Sequence, residues 1–153
     1  MPKPAPLGFF IFASFFFLFP SIANAQVVIN EFLPNHSSGV DWVELYSSID
    51  IEISGWILDD DGTTTDMAVI LPDTFIGPST NNFYTIDVGT RLNQDTDTVY
   101  LYLPTRGNPV DSRSYSTNSE TDISLGRFPD GQVWGTCTPT KNSTNSNCSF
   151  PIP

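Results

Sequence analysis

The sequence predicts an all-β fold of the sandwich or barrel type, on three observations. Short runs in which apolar and polar residues alternate recur from Val27 onward, and alternation places every second side chain on one side of a strand. Turn chemistry separates the runs, as in Asp61-Gly62, Arg106-Gly107-Asn108-Pro109 and Pro129-Asp130-Gly131, because glycine permits positive φ and proline presets its own. No stretch after Val27 sustains the 3.6-residue apolar period of a helix. Many short strands at such spacing suit two packed sheets or one closed sheet.

The first run, VVINEFL at 27–33, has undecided parity: Val27, Ile29 and Leu33 share a side with Glu31, while Val28 and Phe32 share the other with Asn30. If Glu31 faces inward it needs hydrogen-bond partners or a raised pKa, because an unpaired buried carboxylate is too costly. The second run, DWVELYS at 41–47, is clearer: Val43 and Leu45 face the core, so Trp42, Glu44 and Tyr46 face outward. DIEIS, GWILDD, MAVILP, NFYTIDV, DTVYLYLP, PVDSRSY and DISLGRF follow as further strands. In DTVYLYLP, Val99, Leu101 and Leu103 share one side, and Thr98, Tyr100 and Tyr102 the other. After GQVWG the composition changes to TCTPTKNSTNSNCSFPIP, rich in Thr, Asn, Ser and Pro. The expected domain therefore spans 26–136, followed by an irregular tail over 137–153.

Residues 1–25 read as a secretory signal peptide, with Lys3 in a short head, an apolar stretch from Leu7 to Phe19, and Ala23-Asn24-Ala25 as the cleavage signal. A membrane span needs roughly 20 apolar residues, so no transmembrane segment is expected in the mature chain. The destination is secreted, periplasmic or cell-surface. Cleavage would leave 128 of the 153 residues, enough for one core. The mature chain would keep seventeen Asp and Glu against Arg91, Arg106, Arg113, Arg127 and Lys141, a balance of −12. That sign argues against nucleic acid, whose phosphates draw most affinity from Lys and Arg. In an oxidising exterior the even pair Cys137 and Cys148 is expected to form a disulfide that pins the tail.

Glu31 and Glu44 invite a reading as paired catalytic carboxylates. Such a pair must face one cleft at a separation of about 5 to 10 Å, whereas these sit in mid-strand and active groups on a sandwich gather on its loops. His36 with Ser37, Ser38 and Asp41 has the composition of a turn rather than a triad. Calcium takes six to eight oxygen ligands, and Asp59, Asp61 and Asp66 are the candidate set, within an acidic turn that also holds Asp60. The EF-hand register fails, because Gly62 as loop glycine puts Ile57 first and Ala68 last. No cofactor is expected, with calcium as the alternative. Trp42, Glu44 and Tyr46 are the candidate ligand-binding residues, and Tyr100 and Tyr102 could extend them as an aromatic strip.

The succession VVINEFLPN, DWVELYS, ISGWILDDDG, LPDTF, LNQDTDTVYLYLPTRGNPVDSRSY and LGRFPDGQVWGTCTPT resembles the lamin-tail domain of exported bacterial proteins over nearly the whole mature chain. The resemblance implies an immunoglobulin-like antiparallel β-sandwich, in agreement with the strand pattern. It also implies a non-catalytic module, with Glu31 in the INE motif and Glu44 in W-x-E-L-Y as framework. The expected function is an exported binding or surface-interaction module, its partner a protein or a cell-envelope carbohydrate. The alternatives are a structural envelope component with calcium-binding acidic loops, or an accessory subunit of an exported hydrolase. With no partner domain in the sequence, the module is expected to act through its own surface or tail.

Overall fold

The computed structural model describes Met1 and residues 26–63, 65–116 and 120–150, so the expected leader lies outside the described residues apart from Met1. Twelve strands follow in order: β1 (Val27–Leu33), β2 (Asp41–Ser47), β3 (Ile51–Glu52), β4 (Ile57–Asp59), β5 (Ala68–Val69), β6 (Phe75–Ile76), β7 (Phe83–Gly89), β8 (Asp97–Tyr102), β9 (Asp111–Tyr115), β10 (Ser124–Arg127), β11 (Trp134–Thr138) and β12 (Ser146–Ser149). One sheet runs β12-β11-β10-β1-β2-β7 and a second β5-β4-β8-β9, while β3 and β6 form a small pair. Every named pairing is antiparallel. No helix among the described residues is long and apolar enough to cross a membrane.

The two larger sheets meet on their apolar sides. Val27, Ile29, Phe32, Val43 and Leu45 from β1 and β2 pack into one cluster with Leu58, Val99, Leu101 and Tyr115 from the opposing sheet. Removal of that apolar area from water is the main term holding the layers together.

The parity of β1 is resolved by a bulge. Ile29 pairs with Leu45 and Glu31 with Glu44, which leaves Asn30 as the extra residue. Val27 and Ile29 before it and Phe32 after it therefore all reach the core, while Asn30 and Glu31 turn to the outer side. Simple alternation cannot represent that change of phase.

Much of 137–150 forms regular strands rather than the irregular tail expected over 137–153, of which 151–153 lie outside the described residues. Trp134–Thr138 and Ser146–Ser149 add two strands to the larger sheet, and Cys137 and Cys148 are joined by a disulfide across them. The intervening loop folds back over the outer face of β1, β2 and β7, where Thr140 reaches Glu31, Asn142 reaches Glu44 and Lys141 reaches Asp87. Its polar composition suits that position, because the face it covers is itself polar.

Candidate functional site

Glu31 and Glu44 sit directly opposite each other on neighbouring strands, and both are fully buried. Glu31 accepts hydrogen bonds from the Ser124 hydroxyl (2.5 Å), the Thr140 hydroxyl (3.0 Å) and the Thr140 backbone N–H (3.1 Å). Glu44 accepts from the Asn142 N–H (2.5 Å), the Thr85 hydroxyl (3.1 Å) and the Asn30 amide (3.3 Å). Asn145, also fully buried, closes the arrangement by donating to the Asn30 and Arg127 carbonyls and accepting from the Thr140 hydroxyl. Space for Asn145 depends on Gly126, the residue paired with Glu31. A Cβ there would lie 2.9 Å from the Asn145 amide nitrogen and 3.1 Å from the Cys137 sulfur.

Burial dominates the electrostatics. It pushes the Glu44 carboxyl up to about 7, against the lowering effect of its donors, and the nearby Glu31 adds to the rise. Glu31 is raised by the same cause, opposed by Ser124 and Thr140. Two carboxyls biased toward the neutral form beneath a roof of main-chain donors offer no surface to a substrate. They anchor the C-terminal loop.

The remaining expected site residues are dispersed. The outward direction of Glu44 is as alternation requires, but outward does not mean toward solvent. Trp42 is buried beneath Lys141, whose ammonium lies 5.8 Å from the ring centroid, and only Tyr46 of the three is partly exposed. Tyr100 and Tyr102 stack on each other at 5.9 Å, on the outside of the opposite sheet, so the four rings form no common strip. The chain itself occupies the surface on which the Trp42 and Glu44 expectation rested.

The acidic turn is tied to arginines. Asp59, Asp60 and Asp61 bring carboxylate oxygens within 4.8 Å of one another, but Arg91 holds Asp60 with two 3.0 Å bonds. Arg106 bridges Asp59 and Asp66 and lies over the Tyr102 ring. Asp66 thus belongs to the Arg106 bridge and not to the group of three, in which Asp60 stands in its place. His36 serves its own loop, accepting from the Ser38 N–H at Nδ1, while Asp122 accepts from the Ser37 N–H.

A polar cleft of about 570 Å³ opens beside the end of β2, lined by Tyr46, Asp111, Arg127, Asp130 and Gln132 among others. Arg127 and Asp111 form a two-bond ion pair in its wall at 3.0 and 3.1 Å. One Asp130 oxygen accepts from Asn30 and Asn145. Gly131 packs so closely on Tyr46 that a Cβ would lie 3.2 Å from the ring. Sequence reasoning found Tyr46 but not the cleft, whose walls come from β9 and the β10–β11 turn, far from Tyr46 in the chain.

The lamin tail domain family model matches residues 20–117. The chain belongs to the lamin tail domain family. Its immunoglobulin-like sandwich is the fold of that family. No curated protein and no solved structure gives a significant match to the chain. The match is shorter than the near-complete resemblance expected from the motifs, because it stops before β10. The strands and loop that seal Glu31 and Glu44 therefore lie beyond the matched part of this lamin tail domain.

Proposed function

We propose that this lamin tail domain is an exported, non-catalytic binding module, and that it takes a cell-envelope carbohydrate in the polar cleft beside Tyr46. The observation that carries the reading is the full engagement of Glu31 and Glu44 by the C-terminal loop, which leaves that pair unavailable for hydrolysis. A disulfide is the chemistry of an oxidising compartment. A partly exposed tyrosine ring, the exposed amides of Gln26 and Gln132, and Asp130 suit a polyhydroxylated ligand, which is bound by planar polar groups around an apolar face.

NMR titration of the 15N-labelled protein with soluble peptidoglycan fragments and envelope polysaccharides tests this. Saturable shifts at Gly131 and Gln132, weakened about tenfold by Gln132→Ala, are the expected result. Shifts confined to other faces, or protein capture from envelope extract that Gln132→Ala leaves unchanged, would replace the carbohydrate with a protein partner. Turnover of any of these glycans would refute the non-catalytic reading.

A further inference from the structure

The charged side chains that line the cleft beside Tyr46 are Asp111, Arg127 and Asp130. The first two satisfy each other. Arg127 gives Nε to the Ile29 carbonyl, Nη1 to the Gln132 carbonyl and Nη2 to both oxygens of Asp111, and Asp111 also accepts from the Ile29 and Ser112 N–H groups. Asp130 differs: no Lys or Arg among the described residues forms an ion pair with it.

The two oxygens of Asp130 have different surroundings. Oδ1 accepts from the Asn30 amide at 3.1 Å and from the Asn145 N–H at 3.0 Å, which fixes the orientation of the carboxylate. Oδ2 accepts no hydrogen bond from the described residues. It is also open to solvent, because the one buried side-chain nitrogen or oxygen without a partner among those residues is the Arg113 Nε. Gly131, the next residue, packs on the Tyr46 ring and so keeps the aspartate beside the aromatic side of the cleft. An acceptor held in place before its ligand arrives loses little freedom on binding.

We infer that the cleft prefers a sugar carrying a free amino group, its ring resting on Tyr46 and its ammonium donating to Asp130 Oδ2, an inference that rests on the carbohydrate reading of this cleft. An ammonium brings three donors and no acceptor, and a charged donor on a charged acceptor makes the stronger class of hydrogen bond. An acidic sugar meets the opposite situation, since the cation of the cleft already carries Asp111 and Asp130 would repel it. Calcium takes six to eight oxygen ligands, and Asp130 belongs to no acidic group among the described residues that could gather round a metal ion. The net charge of −11 over the whole chain also draws cationic ligands toward the protein.

The test titrates the 15N-labelled protein with a β-1,4-linked glucosamine trimer, with its N-acetylated counterpart and with trilysine. Saturable shifts at Gly131 and Gln132 are expected with both sugars, about fivefold tighter for glucosamine, and raised salt should narrow the difference. Asp130→Asn keeps an acceptor for Asn30 and Asn145 but removes the charge, and should make the two sugars equal. Equal affinity on the wild-type protein, a tighter N-acetylated sugar, or a preference that survives Asp130→Asn would overturn the amino preference while the carbohydrate reading stands. Failure of that reading shows differently, as the absence of saturable shifts at Gly131 and Gln132 with either sugar, and it takes this inference with it. Trilysine binding as tightly at the same residues, or shifts spread over the acidic faces, would mark attraction by charge alone and overturn the preference too. Should Asp130→Asn fail to fold by circular dichroism, the wild-type difference and its salt dependence decide alone.

Discussion

Three hydroxyls around the buried glutamates each face two acceptors while holding a single hydrogen. Thr85 lies between Glu44 and the Asn142 side-chain oxygen, Ser124 between Glu31 and the Cys137 carbonyl, and Thr140 between Glu31 and Asn145. A hydroxyl also accepts, so a proton on Glu44 can be donated to Thr85, which then serves Asn142. The same relay runs from Glu31 through Ser124 to Cys137. Proton counting and burial therefore favour the same, neutral form. The unfolded Glu44 titrates at its ordinary 4.5 and the folded one at about 7. Between those values the folded protein keeps a proton that the unfolded chain has released. The associated stability is fully present below 4.5, is lost as pH rises through 7, and amounts to about 3 kcal/mol. Thermal melts should thus give a higher Tm at pH 5 than at pH 8. Glu44→Gln should flatten much of that slope and cost about 1–2 kcal/mol at pH 5, because its amide meets either the Asn142 N–H or the Asn30 NH₂ as donor against donor. A mutant with the wild-type slope would show that Glu44 does not titrate as described.

At the scale of elements, the unit formed by β11, the 139–145 loop and β12 fixes the fate of the outer face. Its disulfide closes a separation of 11 residues, for which loop entropy supplies about 3 kcal/mol. Cys137→Ser with Cys148→Ser should lower stability by about that amount in denaturant melts and bring Glu44 back toward its ordinary value as water reaches it. Asn145→Ala removes donors to two carbonyls and should cost about 2 kcal/mol without touching the disulfide. The sequence shows β1 and β2 with their final boundaries, since both are short runs rich in apolar and β-branched residues, and in β2 these alternate cleanly. It conceals two other things for physical reasons. The bulge at Asn30 inverts the phase of β1 through an extra residue that has no composition signal. The 139–145 loop is polar because it roofs a polar face, and the strands flanking it carry too little alternating hydrophobicity to stand out from it. Glu44 shows the same lesson in one residue: parity gives its direction, but its cover comes from Asn142, 98 positions away.

Across the whole molecule, acid is distributed in two ways. At the surface, Asp50, Asp61 and Asp122 are held below their ordinary 3.8 by hydrogen bonds from Ser79, Thr63 and Ser37. Their contribution is present above 3.8 and is lost as pH falls through their lower folded values. Inside, the glutamates act in the opposite sense, so the stability maximum should fall between 3.8 and 7. In the acidic turn, where Asp59 is buried and Asp61 exposed, we propose that Arg91 and Arg106 hold the carboxylates together in place of a cation. Scanning calorimetry in calcium and in chelator should give the same Tm within about 1 °C, whereas a concentration-dependent rise would establish calcium as a ligand. The first strand and the last strands among the described residues share one sheet, with β1 between β2 and β10 and the Thr140 roof 109 positions beyond Glu31. A newly made chain thus leaves the ribosome with both glutamates hydrated and charged, and they are enclosed only when the later-made 139–145 loop arrives. Maturation at neutral pH must accordingly draw hydrogen ions from the surroundings, so the final closing of this protein is an acid–base reaction with its solvent.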